Sequence, residues 1–322
     1  MHIRVWRERR VLKREKMGAE TSRNQCPATD INALPENCIA NVLSLTSPLE
    51  TLGLSLVSST FRSAAKSDPV WERFLPSDYQ DIISRAFDSS QPVFTSKKEL
   101  YRYLSTHHLI IDGGSKSFTL DKRSGKKCFM LAARCLTIIG SDTPMCWTWS
   151  SLTESRFTEV AELVNERLLE IRGKISTQLL SPDTTYAAYL VYNWTTEAYG
   201  FETHPVESWV RLSGSEGELR SFCLSANGRQ TRSTRTRTLP GRMVFNGSTT
   251  MRRPKVAVAG ESNDQYPKQR GDGWMEMELG KYLNKGGEDG ELEICLQEVN
   301  GGHMKSGLIL QGIEIRPKNN SK

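Results

Sequence analysis

At 322 residues the chain is long for one hydrophobic core and suits two domains of roughly 50–200 residues each. Its 37% hydrophobic and 25% charged composition excludes a disordered or fibrous protein, and no apolar run reaches the ~18 residues of a membrane-spanning helix. The net charge of +6 is concentrated in residues 1–16, where Arg4, Arg7, Arg9, Arg10, Lys13, Arg14 and Lys16 face only Glu8 and Glu15; the rest is nearly neutral, which argues against nucleic acid as the partner of the folded part.

Residues 1–29 lack apolar periodicity and read as a basic disordered tail, either a nuclear address or acidic-partner arm or a solvated extension. No apolar h-region follows the basic residues, so no secretory leader is expected. Seven cysteines without a CxxC pair read as reduced thiols of a cytoplasmic or nuclear protein.

Residues 30–77 carry helical signals. Leu34, Cys38, Ile39, Val42 and Leu43 recur at the spacing of one helix stripe, Ser47-Pro48 interrupts, and Leu49, Leu52, Leu56 and Val57 form a second stripe. Asp68-Pro69 reads as an N-cap with proline at the first helical position, opening a short helix through Trp71 and Phe74. Such a unit is too small for much of a core of its own. Residues 78–115 continue as a helical linker, with Ser96 and Glu99 as a capping box before Leu100, Tyr103 and Leu104.

After Gly113-Gly114 the period changes to two. Leu169, Ile171 and Ile175 alternate with charged neighbours, as do Leu292, Ile294 and Leu296; Trp274, Glu276 and Glu278 alternate with Met275, Met277 and Leu279; Ile309, Ile313 and Ile315 share one parity near the end. Half-buried strands between Gly, Asn and Asp turns predict an antiparallel sandwich or barrel over residues 116–318. The fold class is α+β and multidomain, helical in front and β behind.

No catalytic constellation emerges. The histidines at 2, 107, 108, 204 and 303 lack HExxH spacing, no Cys/His set has zinc-ligand spacing, and neither a nucleophile elbow nor a phosphate loop is present. No enzyme activity, cofactor or metal is expected. Glu276 and Glu278 share a strand face that reads as solvated. Two features point to binding. Trp147 and Trp149 share a strand face and could stack on sugar rings, although tryptophans also dominate sandwich cores. The stretch Arg229–Thr238, with four arginines among hydroxyls, could meet phosphates or be phosphorylated, or be a solvated loop.

Leu34-Pro35, Ile39, Val42-Leu43-Ser44, Pro48, Leu52, Leu56-Val57, Phe61-Arg62 and Asp68-Pro69 through Trp71 resemble the F-box pattern, with Cys38, Thr46 and Phe61 departing from its usual residues. The resemblance implies docking onto a Skp-type adaptor and, through it, a cullin–RING ubiquitin ligase. Leu34, Pro35, Ile39, Val42, Leu43, Pro48, Leu52, Leu56 and Val57 then stand at positions that pack on the adaptor or hold the module together. The remainder resembles the plant phloem protein 2-like lectin domain, related to the tobacco jasmonate-induced lectin. That likeness is carried by Cys128–Trp147, SRFTEVAEL, LLEIRGKI, YAAYLVYNW and Lys305–Pro317. It implies a jelly-roll sandwich that recognises a client protein or glycoprotein, with N-acetylglucosamine-containing glycans bound in sugar-binding members. Trp147 keeps one of two tryptophans of that pattern; Gly140 replaces the other, and Met304 stands where many relatives carry Trp.

Overall fold

Among the described residues, Leu34-Pro35 leads into six short α-helices: α1 (Glu36–Ser44), α2 (Pro48–Leu54), α3 (Ser59–Ala64), α4 (Asp68–Phe74), α5 (Tyr79–Ser84) and α6 (Lys97–Thr106). The computed structural model describes residues 34–87, 92–201, 205–224, 266–287, 289–298 and 302–318; the basic tail and Arg229–Thr238 lie outside the described residues. The corner between α1 and α2 is a complete capping box. Ser47 Oγ accepts from Glu50 N at 3.2 Å while Glu50 Oε2 accepts from Ser47 N at 2.9 Å, with Pro48 at the first helical position. Ser67, not Asp68, is the residue before α4; the Asp68 carboxylate instead accepts from Lys97 N at 2.8 Å, tying α4 to α6. At α6 the Ser96 hydroxyl caps Glu99 N, but Glu99 returns its bond to Thr95 rather than to Ser96.

The β region comprises β1 (Leu109–Ile111), β2 (Lys116–Leu120), β3 (Lys127–Ala132), β4 (Thr137–Ile138), β5 (Trp147–Ser150), β6 (Val160–Leu163), β7 (Glu170–Ser176), β8 (Thr184–Tyr199), β9 (Val206–Leu212), β10 (Arg220–Phe222), β11 (Lys268–Gln269), β12 (Met275–Asn284), β13 (Glu291–Glu298) and β14 (Ser306–Pro317). They form two antiparallel sheets. The larger runs β1-β2-β3-β14-β8-β12-β11, with β6 joining the first half of β14 and β5 pairing β6; the smaller runs β10-β9-β13-β7-β4. Inward residues of the smaller sheet (Ile171, Ile175, Val210, Leu292, Ile294, Leu296) meet Phe129, Leu131, Leu190, Leu310, Ile313 and Ile315 of the larger. The α+β class and the sandwich are as the sequence implies.

Four expectations need correction. Leu109–Ile111, assigned to the linker, is the edge strand β1, because its apolar residues pair with β2. The larger sheet is not half-solvated: all six residues of β3 are buried, since residues 151–159 fold over its outer face. A second cluster of Met130, Ala132, Phe157, Val160, Val191 and Trp274 fills that space, and Trp274 Nε1 donates to Glu154 O at 3.0 Å. Ile309 does not share a face with Ile313 and Ile315, because the pairing of β14 with β8 slips between Leu310 and Gly312. Gly312 is required there: a Cβ would lie 2.0 Å from Leu131 O.

Nor is the Glu276–Glu278 face solvated. Arg270 Nη1 lies 3.0 Å from Glu276 and 2.7 Å from Glu314; Arg316 reaches Glu276 at 2.7 Å, and Arg156 reaches Glu314 at 3.1 Å. Glu278 is buried against Arg220 and Lys318. Burial alone would raise the Glu314 carboxyl, yet Arg156, Arg270 and Arg316 hold it well below the usual carboxylate range.

The helical front is fused to the sandwich rather than tethered beside it. Trp71 packs on Tyr101 of α6 with ring centroids 5.1 Å apart, and Tyr101 also meets Phe74. From α6 the contacts pass to β2 and its hairpin: Thr119 Oγ1 donates to Leu104 O at 2.8 Å and Tyr101 OH donates to Asp121 O at 3.2 Å. Lys127 Nζ lies 3.0 Å from Asp78. One apolar cluster therefore runs from Ile39 and Leu43 through Leu104 and Phe118 to Ile315. The small helical unit borrows its core from α6.

Candidate functional site

The first candidate is the surface of α1 and α2. Of the nine positions named for it, Ile39, Leu43 and Pro48 are buried. Of the two roles named for these positions, burial suits holding the module together, with the α1 stripe of Ile39 and Leu43 facing α3 and α4. Leu34, Pro35, Val42, Leu52, Leu56 and Val57 are exposed. Two residues missed from the sequence join them: Leu45, 72% exposed at the end of α1, and Leu49 in the first turn of α2. Leu49 and Leu52 are spaced to share one face of α2, and Leu56, 77% exposed, follows in the turn after the helix. Leu49 stands in the second stripe and Leu45 lies just after the first, but helical spacing alone does not tell an inward face from an outward one.

The second candidate is the end of the sandwich at Trp147, Trp149, Gly140 and Met304. Trp147 is not a stacking platform. It is 1% exposed, lies in the main core, and spends its indole N–H on Ile139 O at 2.9 Å. Its neighbour two residues on is only partly buried, but one face of Trp149 is covered by the Arg134 guanidinium, 3.6 Å from the ring centroid. Glu159 holds that guanidinium with two bonds of 2.8 and 3.0 Å. Arg134 was missed because it lies far from Trp149 in sequence.

Gly140 adopts φ +77°, and a Cβ there would meet Glu166 Oε2 at 2.8 Å. Glu166 fills the space beside it, accepting from Arg167 N at 2.7 Å and Leu168 N at 3.2 Å. Burial would raise its carboxyl, but the Cys146 thiol and these two amides hold it below the ordinary value; the same thiol bond raises Cys146. Met304 Sδ accepts from Arg167 Nε at 3.2 Å. Lys305 is buried, donates to Arg167 O at 3.0 Å and His303 O at 2.8 Å, and is ion-paired to Glu298. Segments 139–146, 164–168 and 302–305 thus converge on a polar cluster in which Glu298 is ion-paired to Lys305 while its buried carboxylate oxygens lack a hydrogen-bond donor of good geometry.

Family comparison agrees with this division. The phloem protein 2 family model matches residues 126–317, and the F-box domain model matches residues 31–73. The chain belongs to the phloem protein 2 family. It is an F-box protein with a lectin-like domain, similar along most of its length to relatives from Arabidopsis thaliana. F-box protein PP2-B13 is 42% identical over 288 residues, 88% of this chain and 98% of the relative. F-box protein VBF is 42% identical over 289 residues, 88% and 99% of the two chains. F-box protein PP2-B1 is 40% identical over 311 residues, 90% and 91%. A solved Podospora anserina GH26-CBM35 β-(1,4)-mannanase is matched at TM-score 0.29 and 11% identity over 61% of this chain and 28% of its own, a likeness too slight to carry any inference.

Proposed function

We propose that this F-box protein is the client-recruiting subunit of a Skp–cullin–F-box ubiquitin ligase, acting in the cytoplasm or nucleus without catalysing a reaction itself. The observation that carries this reading is the uncovered apolar surface of Leu45, Leu49, Leu52, Leu56 and Val57 on a module whose own core is already filled by Ile39, Leu43, Phe61 and Trp71. Monomeric proteins rarely leave such neighbouring leucines in water, and short helices presenting them suit a helix-in-groove partner. A Skp-type adaptor is the partner that an F-box implies, with the cullin following through it. The sandwich would contact the client, by protein surface or by an N-acetylglucosamine-containing glycan, and its fusion to the helical front would set the client's orientation toward the ligase.

The test is co-purification with a Skp-type adaptor of the wild type and of Leu49→Asp/Leu52→Asp. Capture by the wild type and loss by the variant, with unchanged circular dichroism, is the expected outcome. Equal recovery of both would sink the adaptor assignment. The glycan arm is read separately, by an array comparing the wild type with Trp149→Ala; absence of wild-type binding leaves protein contacts as the mode of client recognition.

A further inference from the structure

A second concavity lies away from both candidate surfaces, where the linker meets the sandwich. It encloses about 350 Å³ between the end of α6, β1, the Gly113-Gly114 turn and the 156–158 segment that covers the larger sheet. That volume is in the range of small-molecule sites, which favour domain junctions. Its walls mix polar groups with rings and one aliphatic side chain: Tyr103, Ile110 and Phe157 within, and Phe87 at the exposed edge. The wall at Phe87 is pinned, because Phe87 N donates to Ile110 O at 2.8 Å and Arg85 grips Asp112 with bonds of 2.8 and 2.9 Å.

Among these walls stand two polar groups. The Arg156 side chain is only 8% exposed, and its hydrogen bonds leave from one nitrogen: Nη1 donates to Glu314 at 3.1 Å and to Ser117 Oγ at 3.2 Å. Among the described residues Nε and Nη2 have no hydrogen-bond acceptor, although the residue lines the pocket. Neither nitrogen is sealed from solvent, so each can donate to water or to an acceptor bound in the pocket. His108 lines the same space from an exposed position and adds an imidazole as its second polar group; desolvation first and then the nearby Arg156 lower its pKa.

We propose that this junction pocket binds a small ring-bearing carboxylic acid, its carboxylate on the free edge of Arg156 and its ring between Tyr103, Ile110 and Phe157. Planar, charge-assisted recognition is what a guanidinium offers a carboxylate, and aromatic walls suit a flat apolar body. Because the walls come from the linker on one side and the sandwich on the other, such a ligand would stiffen the joint between them.

The probe is 2-naphthoate, titrated into the full chain by ligand-observed NMR beside naphthalene-2-carboxamide, which has the same ring and no charge. Saturable binding of the acid is expected, with the amide weaker by at least about tenfold, the scale of one lost charge-assisted contact. Thr158→Trp, at the exposed rim, should lower naphthoate affinity by a similar factor without disturbing the fold. Arg156→Met should bring the acid down to the amide's affinity; if that variant unfolds, the amide and Thr158→Trp comparisons still decide. Absence of saturable naphthoate binding, equal binding of acid and amide, or a Thr158→Trp variant that binds like the wild type would each overturn the proposal.

Discussion

Leu43 and Leu56 separate the two jobs of the helical front. Leu43 is 0% exposed, while Leu56 sits in water. Leu43→Ala removes three buried carbons, a transfer loss of about 2.5 kcal/mol at roughly 0.8 kcal/mol per methylene, and incomplete collapse of the cavity brings the total to about 3–4 kcal/mol. Because the apolar cluster is continuous from Leu43 to Ile315, that loss should be felt by the whole chain. For a unit this size it corresponds to a fall in Tm on the order of 10 °C. Leu56→Ala in the free protein should stay within about 0.5 kcal/mol, as surface substitutions do. Against a Skp-type adaptor the order reverses: at a desolvated interface Leu56→Ala should cost about 2 kcal/mol of binding. Urea unfolding measures the first pair of values and calorimetric titration of the adaptor the second. A Leu56→Ala variant destabilised by more than about 1 kcal/mol, or one binding the adaptor like the wild type, would refute the division of labour.

Trp147→Ala should unfold or lose about 3–5 kcal/mol rather than silence a sugar site selectively, since it empties core volume and orphans Ile139 O; chemical denaturation checks this. Glu314→Gln should cost about 3–5 kcal/mol by leaving buried guanidiniums without their shared carboxylate. Because the folded pKa of Glu314 is depressed, its stabilisation is present above the unfolded value of about 4.3 and is lost as pH falls toward the folded one. Stability should therefore drop more steeply between about pH 5 and pH 2 in the wild type than in Glu314→Gln, measured as Tm against pH. Gly312→Ala, whose Cβ would lie 2.0 Å from Leu131 O, should cost more than about 4 kcal/mol and remove the soluble protein, whereas Gly271→Ala, with open space around it, should not. Equal soluble yields would contradict the bulge geometry.

The order of parts was legible from the residues: a proline-punctuated helical front, a linker, then strands of period two. Local periodicity, caps and turns are short-range physics, so Ser47-Pro48 marks its corner and Ile171 and Ile175 mark their inward face without knowledge of the rest of the chain. Which faces end up covered is decided by segments distant in sequence. Residues 151–159 and Trp274 turn the Glu276 and Glu314 face into a buried ion network, Arg134 lies on Trp149, and α6 supplies the F-box with the core it lacks. The same holds for the site. Nine positions of the front could be named in advance, but only packing separates buried Ile39, Leu43 and Pro48 from exposed Leu52, Leu56 and Val57. The indole of Trp147 looks like a platform in sequence and proves to be core, because burial depends on what long-range contacts bring against it. The sequence by itself determined the elements and their apolar stripes; the tertiary structure alone decided which stripe is left for a partner.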